Sequence, residues 1–173
     1  RQHTTIDGVA MSVASDGVID GFRYLDIRSE LETLFTLPVL IASRTDCVAL
    51  AEMVAGAGVG KQHVVVIDVD DDVEAALVLG GRLWHGASAL SGQLGFMLMK
   101  PQATLASIAA PRRSADRYLV ATGEQLSGEA VFARAAQRDT FAIRLVAEAE
   151  AALGRVIFNL QCVLAPERFV ITG

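Results

Sequence analysis

Cysteine is scarce: only Cys47 and Cys162 occur among the 173 residues, and they lie far apart. Two such thiols exclude a disulfide framework and give no metal-ligand spacing. Both sit in apolar, helix-like stretches and read as small buried apolar residues. Histidine is equally sparse, and His3, His63 and His85 are scattered without a partner at ligand spacing. No apolar run approaches the roughly 20 residues of a membrane span. Basic residues are outnumbered 15 to 20 by acids, for a net charge of −5. That balance argues against a nucleic-acid surface on this segment. No secretory signal is visible, so a reducing, cytoplasmic compartment is the expectation.

Apolar residues are plentiful, at 52% of the chain. Intrinsic disorder needs low hydrophobicity and high net charge, so this composition excludes it. The length suits one domain, or one with an appendage. The opening Arg1 and the closing Val170-Ile171-Thr172-Gly173 read like the interior of a larger domain.

Periodicity predicts a mixed α/β chain. Residues 8–14 form a weakly alternating strand, and Ser15-Asp16-Gly17 a turn. Asp26 caps a short helix carrying Ile27, Leu31 and Leu34 at helical spacing. Pro38-Val39-Leu40-Ile41-Ala42 suits a short buried strand. Asp46 caps a second helix, ended by Gly56, Gly58 and Gly60. His63-Val64-Val65-Val66-Ile67 is β-branched and continuous, as a strand covered on both faces should be. Asp70-Asp71-Asp72 follows as a polar turn, then strand 75–79 and a Gly80-Gly81 hairpin turn. Residues 94–99 suit a further strand. A helical fragment at 105–110 is broken by Pro111-Arg112-Arg113, and another helix covers 131–136. The longest helix runs over 140–164, with Phe141, Leu145, Ala149, Ala152, Val156, Leu160 and Val163 as one apolar stripe. Gly154 within it costs about 1 kcal/mol against alanine, a cost that a close contact there would offset. Pro166 stops the helix, and Phe169-Val170-Ile171 is a last strand. Strands mixed with helices make the chain α/β.

Several segments together resemble the ROK family (repressors, open reading frames, sugar kinases). Leu37-Pro38-Val39-Leu40-Ile41 followed by Ala49-Leu50-Ala51-Glu52 is similar to that family's "LPV-x-VENDAN-AALGE" segment. Residues 80–97, reading GGRLWHGASALSGQLGFM, resemble "NGKLYRGANGAAGEIGHM". Ala151-Ala152-Leu153-Gly154-Arg155 through Asn159-Leu160 resembles "ALGRAIANL", and residues 165–173 resemble "DPERVVLGG". The resemblance covers about residues 8–173. It implies an actin-like ATPase (ribonuclease-H-like) α/β fold in an incomplete two-lobed arrangement, with a small-lobe remnant over 1–58 and most of the large lobe over 59–173.

The departures from the family pattern bear on function. The aspartate that takes the proton from the sugar hydroxyl aligns with Arg44, preceded by Ser43. A guanidinium cannot accept a proton. The family's glycine-rich phosphate turn aligns with Asp70-Asp71-Asp72-Val73-Glu74, whose carboxylates would repel a polyphosphate. The glutamate that grips sugar hydroxyls aligns with Gln93, which still hydrogen-bonds hydroxyls. The histidine that contacts sugar and ligates zinc aligns with Phe96, which does neither. The zinc loop's place holds Lys100-Pro101-Gln102-Ala103-Thr104, without cysteine, and the glutamate after it aligns with Ala106. Nothing before Gly8 matches the family's "DxGxT" phosphate segment, and no helix-turn-helix is present.

Some residues keep two readings. Asp68, Asp70, Asp71 and Asp72 suit a solvated turn, or a Ca²⁺ or Mg²⁺ site. Trp84 suits partly buried packing or sugar stacking. Arg112-Arg113 suits a solvated loop or a DNA contact. Arg44 either clamps an anionic ligand through a bidentate fork or pairs with nearby acids. These departures give the expectation of a ligand-sensing and dimerisation domain of a ROK-type transcriptional regulator, not an enzyme. A sugar or sugar-derivative effector would meet Ser43, Arg44, Ser88, Gln93 and Phe96. No catalytic residue, metal or cofactor is expected; the partners are a second copy as homodimer, and DNA through a helix-turn-helix outside this chain. The alternatives are a ROK sugar kinase whose catalytic parts lie outside these residues, and a pseudo-enzyme that only holds an oligomer together.

Overall fold

The computed structural model describes residues 3–6, 9–12, 27–87 and 91–173. The expected turn Ser15-Asp16-Gly17, the cap Asp26 and the site residue Ser88 lie outside them. Strands β1 (His3–Ile6) and β2 (Val9–Ser12) pair as an antiparallel hairpin. Helices α1 (Ile27–Phe35) and α2 (Arg44–Ala55) follow. A central sheet contains β3 (Val64–Val69), β4 (Val73–Leu79), β5 (Arg82–Trp84) and β8 (Arg168–Thr172), in the order β5-β4-β3-β8. Strand β3 runs antiparallel to β4 and parallel to β8. Between β5 and β8 come a 3₁₀ turn (Leu94–Phe96), the small hairpin β6 (Leu98–Lys100) and β7 (Ala103–Thr104), and helices α3 (Leu105–Ala109), α4 (Pro111–Thr122), α5 (Gly128–Ala136) and α6 (Thr140–Leu164).

The continuous apolar run of β3 is explained by helices on both sheet faces. Alternation sends Val65 and Ile67 into a core with Leu105, Ala109, Ala149, Ala152 and Val156 of α3 and α6. Val64 and Val66 face the other way, against Ala49 of α2 with Ala76 and Val78 of β4. A third cluster joins Tyr118, Val131, Ala142 and Leu145, packing the first half of α6 on α4 and α5. Helix α6 thus serves two cores in turn, its alanines permitting close approach to the sheet. Its N-cap is Asp139, which accepts the Ala142 N–H at 2.8 Å and the Tyr118 hydroxyl at 3.0 Å.

Several expectations are corrected. Residues 38–42 form no strand; they have no ladder partner among the described residues, and Leu40 is 92% exposed. Pro111 ends α3, with Ala110 extended before it, but it also begins α4 at its first position, where no N–H is needed. Arg112 and Arg113 therefore lie in the first turn of a helix, Arg113 pairing with Asp116 at 3.4 Å. Both cysteines are exposed. Cys47 stands two residues from both buried positions of α2, Thr45 and Ala49, so it points away from the sheet. No close contact accompanies Gly154, since nothing lies within 4 Å of where a Cβ would be. The α6 stripe is buried only over its middle, and Val163 is exposed.

Candidate functional site

Strand parity lays the floor of the site. Asp68 continues the Val64–Val66 side of β3, and Glu74 of β4 and Thr172 of β8 sit directly opposite it in register. Residues in direct register share a sheet face, so Glu74, Asp68 and Thr172 form one row beneath the first turn of α2. Two facing carboxylates repel each other, and α2 supplies the donors that offset this. Arg44 Nη2 lies 3.1 Å from Asp68 Oδ2, while Nη1 donates to Asp70. Buried Thr45 donates its hydroxyl to Glu74 Oε2 at 3.0 Å. Thr172 Oγ1 donates to Asp68 Oδ1 at 3.1 Å. Asp68 is only 6% exposed, so its charge needs these partners. The hydrogen bond to Asp70, then the charge of Asp68, raises the Arg44 pKa above its ordinary value.

The helix start differs from expectation. The N-cap of α2 is Ser43, whose Oγ accepts the Asp46 N–H at 3.0 Å. Asp46, expected to be the cap, instead meets the His85 ring, Oδ2 to Nε2 at 3.0 Å. Three successive residues of α2 thus grip three successive parts of the chain: Arg44 the end of β3 and the acidic turn, Thr45 the start of β4, and Asp46 the loop after β5.

Gln93 and Phe96 come together on the 3₁₀ turn. Strand β5 pairs with β4 only over Leu77, Val78 and Leu79. The Ala75 N–H is therefore open, and the Gly92 carbonyl accepts it at 2.6 Å. Gly92 has φ +84°, and a Cβ there would overlap the Ala75 carbonyl, so the turn needs glycine. This contact seats Leu94 in the core and leaves Gln93 half-buried and Phe96 exposed. The Ser91 N–H reaches the His85 carbonyl at 3.4 Å. Trp84 is half exposed.

Sequence reasoning passed over Thr45, Thr172 and the Asp46–His85 pair, and took Glu74 only as part of the acidic turn. Counting by twos from Val64 would have found Asp68 on the α2 face; the His85 partnership had no local signal. Residues 98–104, where the family's zinc loop falls, form the β6–β7 hairpin without a cysteine or histidine, and they do not fit a zinc ion. Among the described residues, no three histidine, cysteine, aspartate or glutamate side chains group to hold a metal. No helix among them is long and apolar enough to cross a membrane.

The ROK family model matches residues 5–173. The chain belongs to the ROK family. It is 28% identical over 177 residues to a glucokinase of Halalkalibacterium halodurans, which covers 88% of this chain and 54% of that protein. A ROK hexokinase from Thermus thermophilus superposes with TM-score 0.77 at 26% identity, covering 85% of this chain and 54% of that one. A ROK family transcriptional regulator, a homologue of the E. coli MLC protein, superposes with TM-score 0.75, also at 26% identity, covering 85% of this chain and 42% of that one. The fold is the actin-like ATPase fold of ROK sugar kinases, present in part. The chain spans about half the length of the curated relative it matches.

The expectation that this ROK chain is no enzyme is overturned: the relative and the hexokinase are named sugar kinases. That expectation equated the arginine at the base position, the acidic turn, the lost zinc loop and the changed sugar contacts with loss of activity. Phosphoryl transfer depends on groups converging around the substrate, and this chain spans about half of that glucokinase.

Proposed function

We propose that this chain is part of a ROK sugar kinase that transfers a phosphoryl group from ATP to a hexose. The observation that carries the proposal is similarity to a named glucokinase over 88% of the chain. The sheet, α2 and the 3₁₀ turn form the frame of that site. The contacts proposed for the sugar are Ser43, Arg44, Ser88, Gln93 and Phe96. Gln93 hydrogen-bonds hydroxyls through its amide, and Phe96 offers an apolar ring face. Arg44 does not act as the base; it neutralises Asp68 and Asp70, lowering the repulsion that a polyphosphate would meet at the acidic turn. Residues 1–58 belong to the small lobe and 59–173 to the large lobe of a cytoplasmic homodimer.

A second reading has a specific observation in its favour. Arg44 is locked to two carboxylates where the family pattern places a base, and a ROK transcriptional regulator shares the fold at 26% identity. In that reading the domain senses a sugar or sugar derivative and relays it to a helix-turn-helix outside this chain. Coupled measurement of ADP release from the full-length protein with ATP and a hexose panel separates the two. Turnover supports the kinase. A sugar-dependent thermal shift without turnover supports the regulator.

A further inference from the structure

We propose that the Asp46–His85 pair takes the proton from the sugar hydroxyl, a role that rests on the kinase reading above. Three observations converge. The family's base position is Arg44, whose guanidinium is engaged by Asp68 and Asp70 and has no lone pair to offer. Asp46 lies on the opposite flank of the same first turn of α2 from Arg44, and its Oδ2 stands 3.0 Å from His85 Nε2. His85 is also tied to the segment that carries Gln93 and Phe96, its carbonyl accepting the Ser91 N–H.

The chemistry follows from the geometry. A carboxylate on Nε2 favours the tautomer with hydrogen on that nitrogen, which leaves the Nδ1 lone pair as acceptor. The same carboxylate stabilises the imidazolium that forms on protonation. The His85 side chain is 42% exposed and so reachable, whereas that of Asp46 is 17% exposed and held as the orienting partner. In the step, the sugar O–H proton moves to His85 Nδ1. The freed oxygen pair forms a bond to the γ-phosphorus of a nucleoside triphosphate. The bond from that phosphorus to the β–γ bridging oxygen breaks, and its electrons leave with the nucleoside diphosphate. The imidazolium then returns its proton to water.

Steady-state phosphorylation by the full-length protein, measured across pH, tests the assignment with His85→Ala, His85→Gln and Asp46→Asn. Loss of a general base is expected to lower kcat by about 100-fold or more in both His85 variants, with KM for the sugar little changed. Added imidazole is expected to rescue His85→Ala, and the fall in rate toward acid pH is expected to disappear from its residual activity. Asp46→Asn should lose less and keep that acid limb, because it positions the ring without accepting the proton. Wild-type turnover with His85→Ala unaffected overturns the proposal and leaves the kinase reading standing. So does a loss without imidazole rescue in a variant that melts like wild type. If His85→Ala does not fold, His85→Gln decides by the same pH profile. No wild-type turnover with any hexose overturns both the proposal and the kinase reading.

Discussion

Arg44 shows how one substitution changes the requirements of its neighbours. Asp68 is buried, and its ionic partner is a half-exposed guanidinium on the next layer. Returning a carboxylate to this position with Arg44→Asp would gather three acids at the end of β3 and leave Asp68 without a cation. That variant should melt well below wild type, and the deficit should shrink in high salt, where surface repulsion is screened. Ser43 has a local duty that differs from ligand contact. Ser43→Ala removes the α2 cap and should cost about 0.5–2 kcal/mol in urea unfolding, whatever the ligand. The Arg44 ion pair was among the alternatives legible in the sequence, because a nearby acidic turn restricts where an arginine can go. The His85 contact was not, because it joins residues 39 apart through tertiary packing alone.

Helix α6 was legible nearly to the residue, since a long amphipathic stripe with an aspartate before it and a proline after it leaves little freedom. Its two contrasting positions make opposite predictions. Leu145 is fully buried between α4 and α5, so Leu145→Ala should destabilise by about 2–5 kcal/mol. Gly154 has open space where a Cβ would project, so Gly154→Ala should stabilise by about 1 kcal/mol. Chemical denaturation with matched slopes checks both. Misassigned elements share a cause. Proline is compatible with a helix start as well as a break, and an apolar pentapeptide becomes a strand only if a neighbouring strand accepts it. Local sequence decides neither, so α4 was missed and residues 38–42 were over-read.

Taken whole, the molecule ties its layers together with carboxylates that ionise more readily than usual. Glu167 is held low by the Gln62 and His63 N–H groups, and Glu148 by its hydrogen bond from Arg117. A carboxylate with a lowered native pKa stabilises the fold fully above its ordinary range, near pH 4.3, and loses that contribution as pH falls through the lowered value. Stability is therefore expected to hold from neutral pH to about 5 and then decline with acid, as thermal melts across pH would show. Glu167→Gln should flatten part of that decline. At this scale the family and fold were legible from a few spaced motifs, because packing requirements recur along the whole chain. Activity was not, because it depends on where a handful of groups meet, and the loss of some from the motif does not count those supplied from elsewhere.

The parallel pairing of β3 with β8 brings together residues 104 apart in the chain, as Asp68 and Thr172 show. The β3–β4 hairpin can close within microseconds, but β8 must wait for α3 to α6 to gather. Closing so long a loop comes late and slowly, since its entropy is lost before the new contacts compensate. Until then Val64, Val65, Val66 and Ile67 present an uncovered β-branched ribbon. The vulnerable moment in this protein's life is thus the interval between making the β3–β4 hairpin and capturing β8, when a nascent chain has most need of a chaperone.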